Sequence, residues 1–209
     1  MIRVVIADDH PIVRAGLRGV VADVADIGVV GDVASGDELL ARLAATAADV
    51  VLLDVSMPGP GIVPLLEQLR LHHASVRVLV LSVHPEEQYA MRALRAGAHG
   101  YLTKDHSPAE LVAAVRKVGT GGRYVSATLA ERLAGELSSG DGVPHERLSD
   151  REFEVLCLLG SGRSVTEVAG LLRLSVKTVS TYRARVLEKL PATTNAELVR
   201  YVATHGLLR

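Results

Sequence analysis

The chain has 209 residues, 48% of them hydrophobic, with 23 Lys and Arg against 24 Asp and Glu, a net charge of -1. That is enough apolar material for one large or two small cores. No apolar run reaches the roughly 18 residues that a bilayer span needs, the opening MIRVVIADDHP turns acidic too early for a signal peptide, and 3% aromatic residues leave no stacking platform for single-stranded nucleic acid. A folded cytoplasmic protein is expected. Its single cysteine, Cys157, excludes an internal disulfide, has no Cys or His at zinc spacing, and sits among Val155, Leu156, Leu158 and Leu159 as a packed core thiol.

Short β-branched runs alternate with stretches of helical period in the first part. Strands are predicted at residues 2–7, 29–33, 50–54, 77–81 and 100–102, with helices beginning near Pro11, Gly36, Ile62, Glu86 and Ser107. Strict alternation implies a doubly wound α/β domain, a parallel sheet covered on both faces. The runs Val4-Val5-Ile6, Val50 to Leu53 and Val78 to Leu81 are continuously apolar, as central strands require.

A further helix is predicted over 127–137. The stretch 138–144, small, polar and helix-breaking, then reads as a linker. Beyond it the period is helical only. Ser149 with Glu152 and Ser164 with Glu167 fit capping boxes, and Ser175 caps a helix over 176–190 that Pro191 stops. Closely spaced helices of this kind make a helix-turn-helix. There are no internal repeats. The organisation is therefore 1–122, then a linker helix and linker over 123–146, then 147–209. Residues 1–125 carry a net charge of -2, 126–145 carry -2, and 146–209 carry +3, so the basic excess lies in the part expected to meet phosphates.

Ligands of doubly wound sheets bind beyond the carboxyl ends of the strands. Asp8 and Asp9 follow the first strand, Asp54 ends the third, Ser82 ends the fourth, and Lys104 lies past the fifth. Taken singly, such acids often cap helices or close turns. As a set they repel unless a cation neutralises them, and hard oxygen donors suit Mg2+. Asp54, at the end of a central strand, is the candidate phosphoryl acceptor, with Lys104 and the Ser82 hydroxyl meeting the phosphoryl oxygens.

On the helix over 176–190, a step of about 100° per residue puts Val176, Val179, Tyr182, Val186 and Leu190 on one inward face. Lys177, Thr181, Ala184 and Arg185 then face away, with Ser180 beside them and Thr178 and Arg183 flanking. Such a basic, small-residue surface suits the DNA major groove, although an ordinary solvated amphipathic helix shows the same pattern.

The segments VVIADDHPIVRAGL, VVLLDVSMPGPG, LVLSVHPEE and AGAHGYLTKDHSPAEL resemble the receiver domain of the NarL/FixJ family of response regulators. Residues 148–190, LSDREFEVLCLLGSGRSVTEVAGLLRLSVKTVSTYRARVLEKL, are similar to the LuxR-type helix-turn-helix. The resemblance implies a flavodoxin-like five-stranded order 2-1-3-4-5 and phosphorylation of Asp54 by a sensor histidine kinase. It implies Mg2+ held by Asp8, Asp9, Asp54 and the backbone carbonyl of Ser56. It also implies a switch pair, Ser82 and Tyr101, in which the aromatic ring moves inward; Tyr101 alone would read as a packed edge residue. Sequence-specific binding of double-stranded DNA through Lys177, Thr178, Ser180, Thr181, Ala184 and Arg185 is implied as well, with homodimer formation on phosphorylation and RNA polymerase as a candidate partner. Many relatives carry Lys where this chain has Ser180, so base preference does not carry over. The resemblance further implies a last helix over 195–205 that makes a dimer contact, for which Leu198, Val199 and Val202 are apolar enough, as they are for closing the domain core. The run Gly59-Pro60-Gly61 is one residue shorter than the family pattern, at contacts that face the kinase.

Three other functions fit less well. A Mg2+-dependent aspartyl phosphatase commonly has a second acid two residues after its nucleophile, where this chain has Ser56. A receiver-like regulator without phosphate chemistry would not need the full set Asp8, Asp9, Asp54, Ser82 and Lys104. A small-molecule sensor would need a different N-terminal domain.

Overall fold

The computed structural model describes residues 1–57, 61–83, 86–127, 129–131 and 144–207. It falls into two compact units, residues 1–138 and 139–209. Among the described residues no helix is long and apolar enough to cross a membrane.

In the first unit, five parallel strands, β1 (Ile2–Ala7), β2 (Ile27–Val33), β3 (Val50–Asp54), β4 (Arg77–Ser82) and β5 (Gly100–Thr103), form one sheet in the order β2-β1-β3-β4-β5. The helices α1 (Pro11–Ala22), α2 (Gly36–Ala45), α3 (Ile62–His72), α4 (Glu86–Ala96) and α5 (Pro108–Gly119) alternate with them. The continuously apolar runs are the central strands: Val4, Val5 and Ile6 of β1, and Val50 to Leu53 of β3, are all fully buried. β2 starts two residues before its predicted position because Ile27 and Gly28 pair with Ile2 and Arg3, and a bulge between Val4 and Val5 absorbs one extra residue of β2. Ser107 is the cap of α5 rather than its first helical residue, in a capping box with Glu110.

Strand register sets where the functional edge of the sheet lies. Ala7 pairs with Leu53, Asp54 with Leu81, and Ser82 with Thr103. The carboxyl ends of β1, β3, β4 and β5 therefore stop at nearly the same level, and the chain reverses direction beside β1, whose neighbours β2 and β3 lead to opposite edges.

Of the helix predicted over 127–137, the described residues 127 and 129–131 are helical, and Leu129 N–H donates to Ser126 Oγ. The linker predicted over 138–144 lies outside the described residues except for Pro144, as does the shortened run at 58–60. Gly61, at φ 85°, is the N-cap of α3.

The second unit is helical: a 3-10 turn (Pro144–Arg147), then α6 (Asp150–Gly160), α7 (Val165–Leu172), α8 (Val176–Lys189) and α9 (Asn195–Thr204). Both predicted capping boxes form, and Thr194 with Glu197 makes a third at α9. Arg173, in left-handed backbone at φ 53°, ends α7, and Ser175 accepts from Thr178 N–H to start α8. Phe153, Leu156, Leu159, Val168, Val179, Val186, Leu198 and Val202 form the core. Leu198 and Val202 are wholly buried there, and only Val199 of that predicted trio faces outward. Cys157 is buried, as its surroundings require.

One predicted core residue is corrected. Val176 is 49% exposed, whereas Val179, Val186 and Leu190 are buried. These three lie within about 40° of one another around the axis, and Val176 and Tyr182 each fall about 60° to either side of their centre. Tyr182 is half-buried and Val176 emerges on the exposed side.

Gly160 ends α6 against α9, where an added Cβ would come within 2.5 Å of Val202 Cγ2 and 2.7 Å of Val202 Cβ. The Gly160→Ala substitution is expected to destabilise the second unit by about 1–3 kcal/mol through overpacking, read as faster hydrogen exchange in α6 and α9 with the amides of β1 and β3 unchanged.

Candidate functional site

The common level of the strand ends gathers the first cluster. Asp8 leaves β1, Asp54 ends β3, and Lys104 follows β5, its N–H donating to the Ser82 carbonyl at 2.7 Å. Asp8 and Asp54 are almost wholly buried. Lys104 Nζ lies between them, 2.6 Å from Asp8 Oδ2 and 2.8 Å from Asp54 Oδ1. Burial pushes the Asp54 carboxyl above the usual carboxylate range, while Lys104 and the Ser56 N–H, 3.3 Å from Asp54 Oδ2, pull the other way. Burial opposes the charge of Lys104, but its hydrogen bonds to Asp54 and Asp8 hold the ammonium above its ordinary pKa. The cluster thus carries a fixed cation between two acids that are poorly solvated.

The loop after β1 is held from both sides. His10 N–H donates to Asp8 Oδ1 at 2.8 Å, and Arg14 reaches from α1 to the Asp8 carbonyl at 2.6 Å while its Nε donates to Asp32 Oδ2 at 3.0 Å. Asp9 Oδ1 is shielded from solvent and lies 2.7 Å from His10 Nδ1 without the geometry of a hydrogen bond. Ligand atoms of Asp8, Asp9, His10 and Asp54 all lie within 4.8 Å of one another. A cation fits this donor set: several carboxylate oxygens are close together, and one of them, Asp9 Oδ1, is shielded from solvent without a hydrogen bond.

Asp8, Asp9, Asp54 and Lys104 are therefore brought together as the strand ends suggest. Ser82 is fully buried at the end of β4, and Ser56 is exposed just past β3. Tyr101, paired with Val80, is 2% exposed. His10 and Arg14 join the site without having been candidates on sequence grounds. Their signal is present all the same: His10 directly follows the two acids, and Arg14 stands one helical turn beyond it.

The second cluster lies on α8. Lys177, Ser180, Thr181, Ala184 and Arg185 are exposed and Thr178 is half-buried. The Ser180 and Thr181 hydroxyls donate to the carbonyls of Val176 and Lys177, one turn back, and Thr178 Oγ1 meets Ser175 Oγ at 2.7 Å. Arg183 is committed elsewhere, its Nε donating to Asn195 Oδ1 at 2.6 Å. Beneath this surface, buried Glu152 of α6 accepts from Lys189 Nζ at 2.6 Å and fixes the end of α8.

Residues 4–116 match the response regulator receiver domain, and residues 146–202 match the bacterial regulatory proteins of the luxR family. The chain is 36% identical over 209 residues to the response regulator UvrY of Escherichia coli strain K12, covering 99% of this chain and 96% of that one. It is 38% identical over 210 residues to the response regulator GacA of Pseudomonas viridiflava, covering 100% and 98%. Among solved structures, RcsB of Salmonella enterica serovar Typhimurium, bound to promoter rprA with the phosphomimetic BeF3-, aligns with a TM-score of 0.60 at 29% identity over 98% of this chain and 100% of that one. The chain thus belongs to the NarL/FixJ family of response regulators, transcription regulators that join a receiver domain to a LuxR-type DNA-binding domain.

Proposed function

We propose that phosphorylation of Asp54 by a sensor histidine kinase drives this regulator to dimerise and to bind specific duplex DNA through α8, in the cytoplasm where its promoters lie. The observation that carries this reading is the buried Asp54 carboxylate facing the Lys104 ammonium at the end of a central strand. An Asp54 oxygen attacks the phosphorus of a phosphohistidine, the new O–P bond forms as the P–N bond breaks, and the kinase imidazole departs with the nitrogen electron pair. Asp8, Asp9, Asp54 and the Ser56 carbonyl would hold Mg2+. When bound, Mg2+ supplies positive charge that offsets the phosphoryl oxygens. Lys104 keeps its proton and transfers a hydrogen bond from the carboxylate to a phosphoryl oxygen, and the Ser82 hydroxyl donates to another. Tyr101 packs inward behind Ser82.

The chemistry of the chain on its own is limited to Mg2+-dependent self-phosphorylation and autodephosphorylation. The domain boundaries fall at 1–122 and 147–209, with the linker helix and linker between. Moving a two-state population from mostly off to mostly on takes about 5.5 kcal/mol, which charge-assisted bonds at the phosphoryl group and dimer contacts together supply. RcsB, captured on promoters with a phosphomimetic and as dimers on DNA, supports the same sequence of events for this relative. On α8, Lys177 and Arg185 reach phosphates or guanine edges, Thr178, Ser180 and Thr181 reach base edges, and Ala184 leaves room for close approach. RNA polymerase is a candidate partner of the DNA-bound dimer.

Incubation with Mg2+ and acetyl phosphate is expected to add one phosphoryl group to the intact mass of the wild-type chain and none to Asp54→Asn; adduct on the variant, or its normal dimerisation and DNA binding on phosphodonor treatment, would overturn the assignment. The pH profile follows from the raised Asp54 carboxyl. In the metal-free chain the carboxyl is ionised above its raised folded pKa, so Asp54 takes up a proton in a window above the ordinary carboxylate range as pH drops. Removing the Lys104 charge in Lys104→Met pushes that window still higher, an upward displacement measurable by carbon NMR titration of the Asp54 carboxyl without Mg2+. On the output side, Lys177→Ala is expected to lower the slope of log affinity against log salt by about 1 if Lys177 meets a phosphate, whereas Arg185→Ala at a guanine costs about 1–3 kcal/mol on the specific site and little on random DNA.

A further inference from the structure

At the amino end of β4 and β5, the end of the sheet remote from the acids, two hydrogen-bond donors face each other. His99 directly precedes β5 and is half-buried. Its N–H donates to the Val78 carbonyl at 2.7 Å, and its Nδ1 accepts from the Val78 N–H at 3.1 Å, standing where the ladder would place a carbonyl. A backbone N–H can only donate, so this bond assigns the lone pair to Nδ1 and the ring proton to Nε2. Burial first, and then the charges of Arg77 and Arg123, push the imidazole below its ordinary pKa and keep it neutral. Yet Arg77 Nη1, which also only donates, lies 2.9 Å from that Nε2. The other tautomer moves the conflict to the Val78 N–H, and the doubly protonated ring has it at both nitrogens.

The chain around this corner supplies more positive charge and no acceptor. Asp49, whose carbonyl accepts from the Arg77 N–H at 2.9 Å, has both carboxylate oxygens taken by Arg3, at 2.7 and 3.0 Å. Among the described residues, neither Arg77 nor Arg123 forms a salt bridge. Arg123 is exposed, and its neighbour Tyr124 donates its N–H to the His99 carbonyl at 3.0 Å, which ties Arg123 to the same corner. We infer that Arg77, His99 and Arg123 form a binding site for a phosphate-type dianion, inorganic phosphate or a phosphate monoester, at the opposite end of the sheet from Asp54. One oxygen set against Nε2–H and Arg77 Nη1 accepts from both and replaces the donor–donor contact with two hydrogen bonds, the one from the guanidinium charge-assisted. A water also accepts from both, but it leaves two guanidinium charges without a counter-charge, and a carboxylate offsets only one. A phosphate dianion offsets both and matches the planar fork of a guanidinium with two oxygens at once.

Inorganic phosphate is the probe, titrated into the full-length chain without Mg2+ at an ionic strength held constant with chloride, and read by nitrogen NMR of isotope-labelled histidine and by calorimetry. The His99 ring signals, assigned by their loss in His99→Asn, are expected to show the Nε2–H tautomer and to shift saturably with phosphate. Arg77→Gln is expected to weaken phosphate by about ten-fold or more, and His99→Asn by about three- to ten-fold. The asparagine keeps an oxygen for the Val78 N–H while dropping the Nε2 donor, so the thermal midpoint is expected to hold; if it falls, Arg77→Gln alone decides. Methyl phosphate bound as tightly as phosphate assigns the site to esters, and weaker binding assigns it to the free ion. Asp54→Asn is expected to bind phosphate as the wild type does; loss of binding there means that phosphate reads the acceptor site, and it overturns the inference without touching the role of Asp54. A His99 shift no larger than chloride gives, acetate bound as tightly as phosphate, or wild-type affinity in Arg77→Gln would each overturn it too.

Discussion

The Lys104 ammonium, held between the buried carboxylates of Asp8 and Asp54, is the interaction on which the first domain turns. Two acids at the ends of adjacent central strands repel in a medium that solvates them poorly. The lysine, delivered from the end of β5, places a positive charge within hydrogen-bond distance of both. The sheet order makes the delivery possible. Only because β1, β3 and β4 lie next to one another, with β5 beyond, does a residue near position 104 arrive above residues 8 and 54. The site is thus a property of topology as much as of side chains. Ser82 and Tyr101 sit on β4 and β5, the two strands beside which Lys104 arrives.

Most of this is legible in the sequence because burial on both faces leaves a distinctive trace. Val4 to Ile6 and Val50 to Leu53 are unbroken apolar runs, and an unbroken run that ends in an acid marks both a central strand and its functional edge. What the sequence hides depends on contacts across the fold. The start of β2 at Ile27 is decided by pairing with Ile2, since Gly28 carries no strand signal. Arg14 reads as one polar residue on an amphipathic helix until β2 brings Asp32 beside it and the loop presents the Asp8 carbonyl. His10 is easily passed over because a histidine among acids has no period to betray it.

In the second domain the local rules are sufficient for the helix starts and insufficient for the faces. A capping box is closed within four residues, so Ser149 and Ser164 can be located without any tertiary knowledge. Whether a flanking apolar residue is covered depends on how wide a strip the neighbours present, and here α8 buries a narrow one that includes Val179 and Val186 and leaves Val176 in solvent. The buried Glu152 shows the two levels combined. Its carboxylate answers the backbone at Ser149 as a cap and then reaches Lys189 at the far end of α8, with the Lys189 bond holding it below the usual carboxylate pKa against the cost of burial.

The helix starts of the second domain have a wider meaning. Ser149, Ser164 and Thr194 each open a helix with a box closed by a glutamate three residues on, and Ser175 caps α8 from within. Every signal that tells this domain where its helices begin is therefore written inside a few consecutive residues of its own. A module encoded in that way can be cut out and spliced behind an unrelated sensor without rewriting its interior, so the same reader of DNA can be inherited by many inputs.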